Sequence, residues 1–379
     1  MKKIRIGNRL VGEGEPCFVI AEAGVNHNGD IRLAKKLVTE AKKAGADAVK
    51  FQTWKTEEIV NKKVPKPLYQ KNTWGRSQFE MLKKLELSDE EFRRIAEYSK
   101  KIGIIFMSTP EGQKCVDLIA KLGVPAFKVG SADLTNHLHL AYVAKKGKPI
   151  ILSTGMSTLE EVKEAVEVIK RSGNDRVILL HCTSLYPTKI EDTNLLAMIT
   201  LRKKFGLPVG YSDHTTTIGV PIIAALLGAS VIEKHLTLSR DLPGPDHKIS
   251  LEPCEFEEMV KGIRLSEKTP VVVDRLMERL MQISREVSIE KEVLEKIELI
   301  LGSPVKKPVP AEKEMIALMR KYIVAKKDIK RGCIITRDML SIKRSGGGLE
   351  PKHLDEIIGK RAIANIRKDE AITFEKVMA

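Results

Sequence analysis

Between residues 17 and 267, short runs of Val, Ile, Leu and Phe alternate with longer stretches whose apolar residues recur every three or four positions. Runs of the first kind read as buried strands, and stretches of the second kind as amphipathic helices. The apolar runs predict eight strands, at 17–23, 47–52, 103–109, 125–130, 149–154, 177–183, 208–212 and 230–236. Helices are predicted at 31–44, 88–102, 112–122, 136–147, 158–172, 192–205, 217–228 and 254–267. Cap chemistry supports these limits: Ser157 or Thr158 opens one helix, Glu160 and Glu161 occupy its first turn, and Gly173 ends it. Alternation at this spacing means a parallel sheet with crossover helices. Eight units over about 250 residues favour closure into a (β/α)8 TIM barrel over an open doubly wound sheet.

Two regions depart from the alternation. The stretch 53–75 is too long for an ordinary βα loop and reads as an elaborated active-site loop. After the barrel (1–267), residues 268–312 read as a helical segment and a Pro/Lys linker. Residues 313–379 then carry short β-like pieces and turns, a small mostly-β domain that needs another surface to lean on. Aromatics make up only 4% of 379 residues, so aliphatic side chains must fill the core. The formal charge of +15 suits anionic metabolites. The basic residues are scattered, without runs or interleaved aromatics, which weighs against nucleic acid. Five cysteines with no CxxC pair fit a reducing compartment. With neither a signal peptide nor an apolar span in view, the expectation is a cytoplasmic protein that does not engage membranes.

Catalytic groups of such barrels gather at the C-terminal ends of the strands. Those ends carry Glu22; Lys50 and Gln52; Ser108 and Thr109; Lys128, Ser131 and Asp133; Ser153; His181, Thr183 and Ser184; Ser212 and His214; and Lys234 and His235. His214 and His235, on neighbouring strands, suit one divalent cation with positions left for substrate oxygens. No cysteines accompany them, so a Mn²⁺ or Mg²⁺ type of site fits better than closed zinc. Lys50 and Lys128 lie in apolar strands and require anionic partners. These are either Glu22 and Asp133, or a bound phosphate or carboxylate also held by Ser131, Ser153 and Ser212. Either lysine alone could instead form a Schiff base. Tyr186 and Asp246 lie in loops, and His137 and His139 read as packing residues of a helix.

The motifs "IAEAGVNHNG", "AVKFQT", "FMSTP", "FKVGSAD", "ILSTGMST", "HCTSLYPT", "VGYSDHT" and "IEKHLTLSRDLPGPDHKISLEP" together resemble the N-acetylneuraminate (sialic acid) synthases. The segment "YIVAKKDIKRGCIITRDMLSIKRSGGG" resembles their antifreeze-like SAF domain. The resemblance implies condensation of phosphoenolpyruvate with an N-acetylated amino sugar such as N-acetylmannosamine, giving a nine-carbon 2-keto acid and phosphate. It implies a divalent metal, Mn²⁺ first and Mg²⁺ or Co²⁺ next, on His214 and His235. Glu22 would orient sugar or water and move a proton. Lys50, Thr109, Lys128, Ser131, Ser153, Ser184, Ser212 and His235 would hold phosphoenolpyruvate. Gln52, Asp133, Tyr186 and Asp246 would face the sugar, and Arg344 would reach the sugar site of the other subunit of a domain-swapped homodimer. Asp133, Ser184 and "KRSGGG" depart from the commoner Glu, Asn and "KRPG" of bacterial members. The alternatives to N-acetylmannosamine are thus the precursor of legionaminic or pseudaminic acid, or a 6-phosphorylated mannosamine leading to a 9-phosphate product. From another class, the barrel could be a Schiff-base lyase.

Overall fold

The computed structural model describes residues 2–267 and 275–377. An N-terminal antiparallel hairpin, β1 (Ile4–Ile6) and β2 (Arg9–Val11), precedes eight parallel strands. These are β3 (Phe18–Gly24), β4 (Ala48–Thr53), β5 (Ile105–Pro110), β6 (Phe127–Val129), β7 (Ile150–Ser153), β8 (Val177–Cys182), β9 (Val209–Asp213) and β10 (Val231–His235). Their order is β5-β4-β3-β10-β9-β8-β7-β6, so the last strand pairs with the first. Strands β5 and β6, at the two ends of that order, pack side by side and complete a TIM-type cylinder.

The period of two along each strand sorts side chains between two cores. Outward residues such as Val19, Val49, Leu152 and Leu179 pack under the amphipathic helices, among them Leu37, Val162 and Phe256. Inward residues Phe18, Ile20, Ala48, Met107, Ala126, Ile151, Ile178, Leu180 and Val231 fill the lower cylinder. Ile4, Ile6 and Val11 of the hairpin join this cluster and plug the floor. Strands β9 and β10 approach closely at Gly210, where a Cβ would lie 2.2 Å from the Val231 carbonyl oxygen.

The helical segment expected at 268–312 begins on residues 268–274, which lie outside the described residues. Its remainder is three short helices, Leu276–Ile283, Lys291–Glu295 and Ile297–Leu301, rather than one. The break turns the Glu290 carboxylate onto the amides of Ile218 (2.7 Å) and Gly219 (3.1 Å), which caps the barrel helix Gly219–Leu226. Val293 packs so tightly there that a Cβ on Gly219 would meet it at 2.7 Å. The segment is thus an outer brace for that helix.

The linker is pinned over the barrel mouth. Lys306 Nζ donates to the Ser157 carbonyl at 2.6 Å, and Glu312 accepts from the amides of Met156 (2.9 Å) and Ser184 (2.7 Å). Helix Lys313–Met319 follows, then β11 (Tyr322–Ala325) and β12 (Leu340–Lys343), paired antiparallel around a core of Ile323, Ile335, Leu340, Ile357 and Ile372. This domain docks on its own barrel. The Arg344 amide donates to the Ile59 carbonyl at 2.9 Å, and the Asn61 amide donates to the Arg344 carbonyl at 3.0 Å. Arg320 pairs with Glu161 at 2.7 Å. The pinned linker delivers Arg344 to the mouth of its own barrel, where the resemblance implies the mouth of another subunit. No helix among the described residues is long and apolar enough to cross a membrane.

Candidate active site

Above the apolar filling, the next inward position on every strand is polar or ionisable. The succession is Ile20 to Glu22, Ala48 to Lys50, Met107 to Thr109, Ala126 to Lys128, Ile151 to Ser153, Leu180 to Cys182, Gly210 to Ser212 and Val231 to Glu233. All eight upper residues line one cavity. Ser131, Ser184, Tyr186, His214 and His235 lie around it, with Gln52 beside Glu22 and Arg344 entering from the C-terminal domain. Met156, Met315 and Met319 make part of its wall apolar.

The ring is a network of opposed charges. Lys50 lies 2.6 Å from Glu22 and 3.6 Å from Glu233, and donates to Thr109 Oγ1 at 3.1 Å. Lys128 lies 3.5 Å from Glu233 and donates to Ser153 Oγ at 2.7 Å. Ser212 donates to Glu233 at 3.0 Å. Burial pushes the Glu22 carboxyl above its ordinary value, and the nearby Glu233 charge adds to this against the pull of Lys50. Burial acts on Glu233 in the same direction, but Lys128 and Lys50 together override it and keep that carboxyl ionised. Burial lowers the Lys128 ammonium. For Lys50 the two carboxylates outweigh burial and keep it charged. Glu22 is thus the member of the ring most disposed to take up a proton. Gln52 fixes it with a 2.8 Å hydrogen bond.

The two imidazoles face each other across the mouth, with ring centroids 5.5 Å apart. His214 donates from Nδ1 to the Thr183 carbonyl at 2.8 Å, which leaves Nε2 as its free nitrogen. His235 Nδ1 is buried without a hydrogen-bond partner, and burial holds this ring well below its ordinary pKa, as a neutral ligand must be. These features fit a cation that displaces the proton on His214, whose pKa, against its burial, the Cys182 thiol and the Thr183 carbonyl raise to about 8. Among the described residues no cluster of three or more His, Cys, Asp or Glu is disposed to hold a metal, and Glu22 is committed to Lys50 and Gln52. An ion there would complete its coordination with water or substrate oxygens. Tyr186 covers the pair, 4.3 Å from His214 and stacked at 4.8 Å on Tyr69 of the long loop.

Two expected residues stand back from the cavity. Asp133 is turned to Lys321 at 2.7 Å and accepts from Asn136 at 2.9 Å. Asp246 lies 3.8 Å behind His235 Nδ1, where burial and then Glu22 push its carboxyl up to about 7. The outward Ser108, His181 and Lys234 are structural: Ser108 bonds Thr53, His181 donates to the Thr193 carbonyl, and Lys234 pairs with Asp213. Conversely, sequence reasoning passed over Cys182 and Glu233, although each shares an inward face with a predicted site residue or core neighbour two positions away. It also passed over Glu111, which holds Arg344 through two 3.0 Å contacts and Lys321 through one. No local pattern marks Glu111, because its partners come from the other domain.

The NeuB family profile matches residues 37–271 and the SAF domain profile residues 320–378. The chain is 42% identical to the N,N'-diacetyllegionaminic acid synthase of Legionella pneumophila, over 97% of this chain and 96% of that one. It is 35% identical to the N-acetylneuraminate-9-phosphate synthase of Homo sapiens, over 97% and 95%. Among solved structures, the spore coat polysaccharide biosynthesis protein SpsE of Bacillus subtilis superposes with a TM-score of 0.81 at 31% identity, covering 100% of this chain and 99% of that one.

Proposed function

The chain belongs to the NeuB family, and from that premise we propose that its barrel condenses phosphoenolpyruvate and water with an unphosphorylated N-acetylated amino sugar. The products are a nine-carbon 2-keto sugar acid and inorganic phosphate. The observation that carries this reading is the polar ring: two lysines among five hydroxyls, directly beneath two facing imidazoles.

The phosphate and carboxylate of the enol substrate fit against Lys50 and Lys128 and the hydroxyls of Thr109, Ser131, Ser153, Ser184 and Ser212. That leaves the sugar above them, toward Gln52, Tyr186, His235 and Arg344. His214 and His235 would hold a divalent ion, Mn²⁺ first, which when bound supplies Lewis acidity toward a carbonyl oxygen. In the reaction, carbon 3 of the enol forms a bond to the sugar aldehyde carbon as the aldehyde π bond breaks, and the oxygen ends as a hydroxyl by taking the proton that water gives up in the next step. Water then adds at carbon 2, and the C–O bond to phosphate breaks. Glu22, raised by burial and steadied by Gln52, is placed to hold the proton that the attacking water gives up.

Charge balance selects among sugars. The cavity's cations are Lys50, Lys128 and Arg344, and its carboxylates are Glu22, Glu233 and Glu111. Phosphoenolpyruvate claims the two lysines. Beside the imidazoles and any ion they hold, a second phosphate on the sugar would find only Arg344, already committed to Glu111. The apolar wall of Met156, Met315 and Met319 favours a diacetamido-trideoxyhexose, the precursor of a legionaminic or pseudaminic type of acid, over N-acetylmannosamine.

A phosphate-release assay with phosphoenolpyruvate, Mn²⁺ and a panel of these sugars and N-acetylmannosamine 6-phosphate tests the reading. Release is expected with the diacetamido sugars and none with the phosphorylated one; no release with any sugar would remove the synthase reading. His214→Ala and His235→Ala should each lose turnover and metal binding with the fold retained. The low-lying Lys128 ammonium is what a Schiff-base lyase would use. Borohydride with pyruvate should leave no adduct on it, and a trapped Lys128 would favour the lyase.

A further inference from the structure

A second cavity, of 430 Å³, lies on the seam between the barrel and the C-terminal domain. One wall begins at the N-terminus of the nine-residue helix Gln113–Lys121, whose N-cap, Gly112, has a φ of +92° and supplies no side-chain cap. The amides of that first turn carry partial positive charge and lack intrahelical acceptors. Beside them His139 lines the cavity, only 6% exposed, with its Nε2 buried and unpartnered. From the facing wall Lys326 and Arg337 are exposed toward the same space, and neither forms an ion pair among the described residues. The one carboxylate in the lining, Glu58, is already paired with Lys114. A buried orphan nitrogen, an uncapped helix start and two unneutralised cations are thus gathered around a space large enough for a small organic molecule.

We infer that this seam cavity is a binding site for a small phosphate- or carboxylate-bearing molecule, separate from the barrel site. The lining also includes the buried Lys321, which holds Asp133 at 2.7 Å and Glu111 at 3.0 Å, and Glu111 in turn holds Arg344 at 3.0 Å over the barrel mouth. An anion drawing on the Lys321 ammonium loosens that hold, so occupancy alters how Arg344 meets the sugar. This regulatory role rests on the synthase reading; the binding itself does not.

Calorimetry on the full chain tests the site, with sugar and metal left out so that nothing turns over, and with phosphoenolpyruvate left out because its own phosphate and carboxylate would fill the seam. Inorganic phosphate is the titrant in one arm and citrate in the other; the tighter binder assigns the anion class. The wild type should show an equivalent of binding that the exposed pair Lys326→Ala/Arg337→Ala weakens about tenfold or more. A control pair with the same charge loss elsewhere, Lys203→Ala/Lys204→Ala, should bind as the wild type does. No binding by the wild type, or equal weakening by the control pair, would overturn the site. Steady-state kinetics then test the role: the titrant should shift the KM for sugar in the wild type and not in Lys326→Ala/Arg337→Ala. An unshifted KM with binding intact would overturn the regulation alone.

Discussion

Replacing Glu233 by Gln removes one negative charge from a ring in which two ammonium groups share it. The lost pairs span 3.5 Å to Lys128 and 3.6 Å to Lys50. At an effective dielectric constant of about 20, each is worth about 5 kcal/mol before desolvation is counted. Releasing the carboxylate from its own burial cost offsets much of that sum, and Lys50 keeps Glu22 at 2.6 Å. Lys128 is the group left exposed to the loss, with only Ser153 and, at 3.5 Å, the Val129 carbonyl beside it. Uncompensated buried charges of this kind cost about 3 kcal/mol or more. For a domain of this size that corresponds to a fall in melting temperature of roughly 6 °C. The amide still accepts from Ser212, so the shape of the site is retained. Phosphoenolpyruvate should reverse the effect, because its anionic groups meet Lys128 without a competing carboxylate. At one hundred times Kd a ligand adds about 2.7 kcal/mol, and the variant should reach that gain at lower ligand concentration than the wild type. Thermal unfolding across a phosphoenolpyruvate titration reads both quantities. A variant that melts with the wild type in the absence of ligand, or gains no more from it, would refute the idea that Glu233 balances the lysines in the empty site.

Other expectations follow from the same geometry. A Cβ on Gly155 would lie 2.3 Å from Ser184 Oγ, 2.8 Å from Ser131 Oγ and 2.9 Å from Cys182 Sγ. Gly155→Ala should therefore raise the KM for phosphoenolpyruvate at least tenfold while circular dichroism stays native; an unchanged KM would show that those hydroxyls do not hold it. Arg344→Ala should raise the KM for sugar by an order of magnitude and leave that for phosphoenolpyruvate alone, as initial rates would reveal. Burial keeps His27 neutral down to about pH 4 and His181 down to about pH 3. Their unfolded-state pKa is about 6.5, so the stability they allow is full above that pH and falls below it, by about 1.4 kcal/mol per pH unit for each. The loss of stability on going from pH 7 to pH 5, read by denaturant unfolding, should therefore shrink by about 2 kcal/mol in each of His27→Gln and His181→Gln, and an unchanged pH dependence in both would contradict their neutrality.

The barrel was legible because eight Val/Ile-rich runs and the amphipathic stretches between them repeat one physical unit, and helix limits fell within a few residues wherever a cap such as Thr158 marked them. The site was legible in its residue types at the strand ends. It was less so in their facing, which the twofold alternation of a strand decides: Lys234 was placed beside His235, whereas Glu233 and His235 share the inward face. The ion-pair chain Arg344–Glu111–Lys321–Asp133 joins residues 188 to 233 positions apart, and no local periodicity can announce it. The segment after residue 275 was read as helical from composition, but its breaks follow from Glu290 serving another helix, a tertiary demand invisible in the run itself.

The hairpin of Ile4–Ile6 and Arg9–Val11 gives the cylinder a stopper. A vessel sealed below fills from the bottom upward, so the enol phosphate must be seated on the lysines before the sugar arrives and shuts off the path above it. On the proposed synthase reading the order of arrival is then set by architecture alone, and a sugar that enters first should act as an obstruction, to be seen as inhibition at high sugar concentration.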